Sequence, residues 1–326
     1  MQTQSYSWLK SLLVIEYMFI DKIKSKQTGI LLYGITPPKS STAEEKVAEI
    51  AERTLSRILP LDIDALIVYD VQDESARTSE ERPFPFMSAL DPFSFTKEHL
   101  TALKLPKIIY RPAGKFSKME LTEWLSDLTN HSCFPVFVGL PSPDVEVKTT
   151  LPEAYELWNK HADKSVIGAI TIPERHATLK DEDKRILDKT KSGVSFFVSQ
   201  CVFDLELSKK MIADLSATCL KENKEIPTII FTLTACGSAK TLHFMDWLGI
   251  HIPSDLREEL LASENMLEKS VNVCLTIANE LSDFCAKLGV SFGFNIESVA
   301  IRKEEIEASI EMLNQIAEML KSKGLR

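Results

Sequence analysis

Glu174 and Gln200 follow closely on apolar runs of this sequence, and both are residue types that bind ligands or exchange protons. The runs at 166–171 and 194–199 are short and rich in branched and aromatic residues, as buried strands are. Between them, 181–191 alternates charged and apolar residues at the spacing of a surface helix. The segment therefore predicts a strand–helix–strand unit with polar groups where each strand ends.

Three carboxylates lie at or just beyond the ends of predicted strands, namely Asp70, Glu174 and Glu297. A carboxylic acid in such a position can protonate a leaving group, and a carboxylate can balance a positive charge that develops in a reaction. We name these three residues as candidate catalytic acids. The alternative for each is a solvated charge or a helix-capping residue.

The six cysteines form no CxxC pair and show no spacing typical of a zinc site. We therefore expect no metal, reduced thiols and a cytoplasmic protein. Several cysteines fall in apolar patterns, where a free cysteine is usually a small core residue. Cys236 follows the seventh predicted strand, but an activated thiol needs a basic or positive neighbour and none stands beside it in sequence.

Composition and charge narrow the class of protein further. With 44% hydrophobic and 26% charged residues, the 326-residue chain has the composition of a folded globular protein. Its formal charge of −9 argues against nucleic-acid binding, which needs clustered basic residues. The apolar stretch at 12–20 is too short to span a membrane and contains Glu16, so we predict no membrane segment and interpret 1–28 as a helical N-terminal extension.

Apolar runs recur eight times from residue 29 onwards, and helical patterns separate them. The predicted strands are 30–35, 65–71, 107–110, 135–139, 166–171, 194–199, 228–233 and 290–294. Eight such units predict a single (βα)8 TIM barrel over 29–326, with its active face at the carboxyl ends of the strands. An open doubly wound sheet would carry a glycine-rich turn after its first strand, where this chain has Gly34-Ile-Thr-Pro-Pro-Lys. The long loop 72–92 is predicted either to cover the barrel mouth or to pack on the outer helices.

Three pieces of the sequence resemble methylenetetrahydrofolate reductase, a flavin enzyme built on an eight-stranded barrel. They are IPERH at 172–176, Lys189 before Ser192-Gly193, and SQCVFD at 199–204. The resemblance implies a flavin-dependent oxidoreductase that acts on a folate one-carbon adduct. It also implies FAD as cofactor and NADH or NADPH as reductant.

The resemblance also assigns roles to individual residues. His176 and Lys189 match positions near the flavin phosphates, and Gln200 matches a residue that contacts the folate. Tyr110 and Arg111 end the third strand, where the family often has a histidine, and they are further cofactor-binding candidates. The alternative for His176 is an ordinary loop histidine. The alternative for Lys189 is a surface lysine that forms salt bridges, and for Arg111 it is a surface arginine.

Two positions depart from that family. It carries a glutamate three residues before its Pro-Pro pair and an aspartate after the fourth strand, where this chain has Gly34 and Leu140. Losing a general acid commonly costs about 10²–10⁴-fold in rate. We therefore expect weak or absent turnover unless Asp70, Glu174 or Glu297 supplies the proton. Two alternatives stay open: a pterin- or flavin-binding protein without turnover, and a barrel enzyme with a different substrate. A homo-oligomer is compatible with each.

Overall fold

The computed structural model describes residues 18–75, 78–140, 146–161 and 165–326 of the chain. Eight parallel strands form a closed barrel in chain order, with the last strand hydrogen-bonded to the first. The strands are β1 (Ile30–Ile35), β2 (Ala65–Val68), β3 (Lys107–Pro112), β4 (Cys133–Val138), β5 (Gly168–Thr171), β6 (Phe196–Cys201), β7 (Thr228–Thr234) and β8 (Phe292–Glu297). The predicted (βα)8 barrel is thereby confirmed.

Helices alternate with the strands and form the outer layer of the barrel. They are α1 (18–24), α2 (Glu44–Ile58), α3 (Pro92–His99), α4 (Lys118–Thr129), α5 (Leu151–Lys160), α6 (Pro173–Leu179), α7 (Glu182–Lys191), α8 (Leu205–Lys221), α9 (Ala239–Trp247), α10 (Ser254–Ala262), α11 (Met266–Leu288) and α12 (Lys303–Ser322). The sequence patterns missed α6 and α10, which have seven and nine residues and are too short to show a clearly repeated apolar spacing. Within the described ranges, none of the helices has both the length and the apolar composition needed to cross a bilayer.

Three strands extend at least two residues further toward the active face than the sequence predicts. Apolar runs place β3 at 107–110, β6 at 194–199 and β8 at 290–294, whereas the strands end at Pro112, Cys201 and Glu297. An apolar run stops at the first polar side chain, but strand pairing continues beyond it, since Glu297 still pairs with Gly34 of β1. Polar side chains are thereby held on strands, which are more rigid than loops.

Apolar side chains fill the barrel interior, and α1 closes its amino-terminal end. The ring of Phe19 lies 5.5 Å from that of Phe134 and 5.9 Å from that of Phe196, measured between centroids. Burying one phenylalanine contributes about 1.5–3 kcal/mol to stability. An N-terminal helix is thus present at 18–24 and packs into the barrel, while residues 1–17 of the predicted extension lie outside the described residues. A second apolar cluster fills the space between the strands and the outer helices.

The loop after β2 runs along the carboxyl-terminal face to the helix that follows β7. The amide of Leu90 donates to the carbonyl of Pro38, in the loop after β1, at 2.8 Å. The Arg82 guanidinium lies over the rings of Phe244 and Trp247 in α9, at 4.9 and 5.1 Å from their centroids. The loop therefore lies over the rim of the mouth and also packs on an outer helix, which combines the two predicted arrangements.

Candidate functional site

The carboxyl-terminal mouth of the barrel has a floor of half-buried side chains. Tyr69, Val138 and Ile170 are partly exposed and pack on the buried interior cluster. Gln200 and Glu297, near the ends of β6 and β8, are also half-buried. We call these five side chains the mouth floor. An aromatic ring, two aliphatic side chains and two polar groups are the kind of surface that binds a flat heterocycle.

Glu297 is the carboxyl of the mouth floor, and neutral donors surround it. The Cys201 thiol donates to its Oε1 at 3.3 Å. The Asn295 amide donates to the Tyr69 hydroxyl at 2.8 Å and to Thr232 Oγ1 at 3.3 Å. Burial raises the pKa of Glu297, and hydrogen bonds from Tyr69, Cys201 and Asn295 only partly oppose this rise. No cation contributes to this shift.

Gly34 makes room for the polar cluster. A Cβ at position 34 would lie 2.8 Å from Cε2 of Tyr69 and 3.2 Å from the Cβ of Glu297, so a larger residue would displace one of them. Gly34 pairs with Glu297 across the β1–β8 ladder. The resemblance expects a glutamate at position 34, and Glu297 places a carboxyl at the same level of the barrel on the neighbouring strand. At the other departure, Leu140 packs on Gly114, whose added Cβ would lie 2.7 Å from the leucine side chain.

The two other candidate acids lie near the rim of the mouth. Burial raises the pKa of Asp70 to about 6 and that of Glu174 to about 7. The Gln72 amide donates to the Asp70 carboxyl. Oε2 of Glu174 is buried and has no hydrogen-bond partner among the described residues. All three predicted carboxyls thus stand at strand ends and hold their protons more firmly than exposed acids do, while their catalytic role stays a prediction.

The IPERH segment belongs to the layer of helices around β5. Glu182 of α7 is fully buried and accepts hydrogen bonds from Thr171 Oγ1 and from the Ile172 amide, each at 3.0 Å. Arg175 donates to both carboxylate oxygens of Glu182, at 2.6 and 2.7 Å. We call these four residues the Glu182 network. They tie the end of β5 to α6 and α7.

His176 and Lys189 have partners in the same layer. Nε2 of His176 lies 2.8 Å from a carboxylate oxygen of Asp214 in α8, and the histidine is 2% exposed. Lys189 donates to the carbonyl of Ile170 at 2.7 Å, and burial lowers its pKa to about 8. These contacts fasten β5 and α6 to their neighbouring helices.

The third strand places Tyr110 and Arg111 on opposite faces. Tyr110 lies inside the barrel, where its ring centroid is 4.8 Å from that of Tyr69. Arg111 lies on the helix side, where it pairs with Asp91 at 2.5 Å and covers the ring of Phe116 at 4.3 Å from the centroid. The ion pair holds the start of α3 against β3.

The contacts of these residues do not fit a flavin pyrophosphate. A diphosphate needs cations or amide groups that are free to bind it. Arg111, His176 and Lys189 are each engaged with a carboxylate or a carbonyl of the protein itself. FAD and its nicotinamide reductant stay predictions of the resemblance, and the residues assigned to them do not support these predictions.

Sequence reasoning missed the partners of Glu297, although β8 carries a signal for them. The strand reads FGFNIE, and its second, fourth and sixth residues, Gly293, Asn295 and Glu297, share one face. Strands of a parallel barrel are buried on both faces and are usually apolar throughout. An amide and a carboxyl on the same face of such a strand therefore indicate a polar cluster inside the barrel.

Cys236 belongs to the core. It is fully buried, its thiol donates to the carbonyl of Ser238 at 3.5 Å, and burial raises its pKa to about 11. A thiol with such a pKa is a poor nucleophile at neutral pH. Among the described residues, no three histidine, cysteine, aspartate or glutamate side chains are grouped so that they could hold a metal ion.

No protein-family model and no curated protein matches the chain. Among solved structures, the chain is similar to an uncharacterized protein from Clostridium thermocellum that binds two copies of 5-methyl-5,6,7,8-tetrahydrofolic acid. The two are 40% identical with a TM-score of 0.81, over 92% of this chain and 98% of that one. The chain therefore belongs to the same family of barrel proteins as this folate-binding relative. Membership of the methylenetetrahydrofolate reductase family is not shown by these matches.

Two further solved structures are much more distant. A 2,3-dimethylmalate lyase is 9% identical with a TM-score of 0.48, over 95% of this chain and 87% of that one. A dihydropteroate synthase from Xanthomonas albilineans with 4-aminobenzoic acid is 12% identical with a TM-score of 0.43, over 89% of this chain and 92% of that one.

Proposed function

We propose that this protein binds a reduced folate at the barrel mouth, with the pterin ring on the mouth floor. The observation that carries the proposal is this half-buried floor in a chain that is 40% identical to a protein described as binding 5-methyl-5,6,7,8-tetrahydrofolic acid. A reduced folate with a one-carbon substituent is the ligand class that we propose.

The mouth floor suits a flat ring with polar edges. Tyr69, Val138 and Ile170 offer apolar surface, and covering it contributes about 25 cal/mol per Å². Gln200 is held in place because its amide nitrogen donates to the carbonyl of Leu248 at 3.1 Å. Together with Glu297 it provides polar groups on two different strands. Ligand sites commonly combine a largely apolar lining with a few fixed polar groups.

Chemistry on the bound folate is a second candidate, and one observation favours it. Glu174 has a pKa raised to about 7 by burial and an unpaired, buried Oε2 among the described residues. A general acid works best when its pKa lies near the working pH. With Glu174 as the acid, the finer proposal is the activity that the resemblance implies, a flavin-dependent oxidoreductase for a folate one-carbon adduct. Binding without turnover comes first, because the basic residues assigned to the flavin are engaged elsewhere.

Isothermal titration of the purified chain with 5-methyltetrahydrofolate tests the first proposal. We expect saturable binding, and Val138→Trp should abolish it because the indole would fill the mouth floor. Leu220→Trp is the matched control, since Leu220 is 83% exposed at the end of α8. Failure of the wild-type protein to bind millimolar ligand would refute the proposal.

The visible spectrum of the purified protein separates the two candidates. A colourless protein that binds the folate supports binding without flavin. A yellow protein whose colour bleaches on addition of NADH or NADPH supports the oxidoreductase.

A further inference from the structure

We infer that Glu297 binds the amidine edge of the pterin ring, which carries the 2-amino group and the neighbouring ring N–H. The inference rests on the proposed function and adds which group of the chain recognises which part of the ligand. Two parallel N–H donors match the two oxygens of one carboxylate, as they do in arginine–carboxylate pairs. The ligand class is a planar heterocycle with such a donor pair, and 2-amino-4-oxopteridines belong to it.

Glu297 is the one carboxyl of the three that forms part of the mouth floor. It projects from the inner face of β8, where pairing with Gly34 fixes its position. Asp70 is already hydrogen-bonded by Gln72, and Glu174 belongs to the first turn of α6. A carboxyl on a strand is positioned more accurately than one on a loop, and binding of two donors at once requires that accuracy.

The surroundings of Glu297 are also short of hydrogen-bond donors. An ionised carboxylate offers about four lone-pair sites. The groups that hydrogen-bond to Glu297 are the Cys201 thiol, the Tyr69 hydroxyl and the Asn295 amide, and a thiol is a weak donor. An amidine edge would supply Glu297 with two N–H donors, which are stronger donors than a thiol.

Asn295 and Tyr69 are positioning residues in this arrangement. Asn295 is fully buried one layer below Glu297, so it does not contact the ligand, and its amide holds the Tyr69 hydroxyl at 2.8 Å. The Tyr69 ring in turn lies across Gly34, where a Cβ would be 2.8 Å from it. The position of the carboxyl thus depends on strands β1, β2 and β8 together.

A pair of ligands tests the inference on the full chain. One is 5-methyltetrahydrofolate, and the other is its 2-desamino-2-methyl analogue, which lacks one of the two donors. We expect the wild-type protein to bind the parent compound about 10- to 100-fold more tightly, the range for a hydrogen bond to a charged group. Glu297→Gln should weaken binding of the parent by a similar factor and change binding of the analogue by less than about threefold.

Glu258→Gln is the matched control, because Glu258 is exposed on α10, and it should behave as wild type with both ligands. Equal affinity of the wild-type protein for the two ligands overturns the inference and leaves the proposed function standing, and this comparison needs no variant to fold. Equal losses for both ligands in Glu297→Gln also overturn it, because the carboxyl would then support the mouth without recognising the donor edge. Absence of any binding by the wild-type protein overturns the proposed function itself.

Discussion

Glu182 is fully buried and Glu297 is half-buried, and the two carboxyl groups have different surroundings. Glu182 accepts hydrogen bonds from the Arg175 guanidinium and from two neutral donors of β5 and its end. Glu297 has neutral donors alone, among them the weak thiol of Cys201. A buried carboxylate with a cation supports the fold, whereas one without a cation is costly and marks a candidate for binding or chemistry. The difference favours a ligand site in the mouth floor over one in the IPERH segment.

Arg175→Ala breaks the Glu182 network, and we expect it to have the largest effect on stability. Glu182 is 0% exposed, so its carboxylate would stay inside the protein without its cation. Removing one partner of a buried pair costs about 3–5 kcal/mol. Urea unfolding followed by circular dichroism measures this loss in the free energy of unfolding.

The double variant Arg175→Ala, Glu182→Gln is the control for that experiment. It removes the charge together with its partner, so we expect it to recover most of the lost stability. If the single variant cost less than about 1 kcal/mol, the pair would behave as an exposed salt bridge does. The contrast between the two carboxyls would then disappear.

Glu174→Gln tests whether burial makes the ionised form of the Glu174 carboxyl destabilising for the folded state, since its buried Oε2 has no hydrogen-bond partner among the described residues. Its folded pKa of about 7 lies above the ordinary value of 4.5, so between these pH values the folded state keeps a proton that the unfolded state has lost. This contribution to stability is fully present below about pH 4.5 and is lost as the pH rises through 7, with a limit of about 3 kcal/mol. The variant should therefore gain stability over wild type as the pH rises from 5 to 8.

Thermal unfolding at each pH measures the difference in stability between variant and wild type, with Glu258→Gln as control. Parallel pH profiles of the Glu174→Gln variant and wild type would contradict the prediction.

Gly34→Ala tests the shape of the mouth and not its charge. The added Cβ would lie 2.8 Å from the Tyr69 ring, and overpacking of this kind costs about 1–3 kcal/mol. We expect weaker folate binding as well, because Tyr69 belongs to the mouth floor. For the same reason Gly34→Glu, which would introduce the glutamate that the resembled family carries at this position, should lower both stability and affinity.

The double variant Gly34→Ala, Tyr69→Leu provides the control, since the smaller side chain leaves space for the new methyl group. It should recover part of the stability lost in Gly34→Ala. Wild-type stability and affinity in the single variant would mean that the tyrosine moves aside without cost.

The sequence predicts the barrel well because burial on both faces of each strand leaves an apolar run at every strand. It also predicts the carboxyls of the mouth, since each follows such a run. Pairing is not predictable in this way, because partners are distant in the chain: Asp214 lies 38 residues beyond His176, and Glu297 lies 96 residues beyond Cys201. A basic residue that is neutralised by a distant carboxylate has the same sequence pattern as one that is free to bind a phosphate.

Cys201→Ser should have the smallest effect on stability, and it tests the contrast between the two carboxyls most directly. It gives Glu297 a hydroxyl donor in place of a weak thiol donor, which makes its surroundings more like those of Glu182. Hydrogen bonding to the charged form lowers the pKa of a carboxyl, so Glu297 should lose its proton at a lower pH than in wild type. Stability should change by less than about 1 kcal/mol, because the new hydrogen bond offsets the burial of a more polar group.

The infrared C=O band of the protonated carboxyl, assigned to Glu297 by its absence in Glu297→Gln, follows this titration. Cys285→Ser is the matched control, since Cys285 is fully buried in α11 away from the polar cluster. It should lower stability by about 1–3 kcal/mol and leave the Glu297 band unchanged. Because the carboxylate is the form that binds two donors, folate affinity in Cys201→Ser should reach its maximum at a lower pH than in wild type. The infrared band and the folate affinity of Cys201→Ser could both keep the pH dependence of wild type. In that case the thiol does not influence the pKa of Glu297, and the weak donor does not account for the difference between this carboxyl and Glu182.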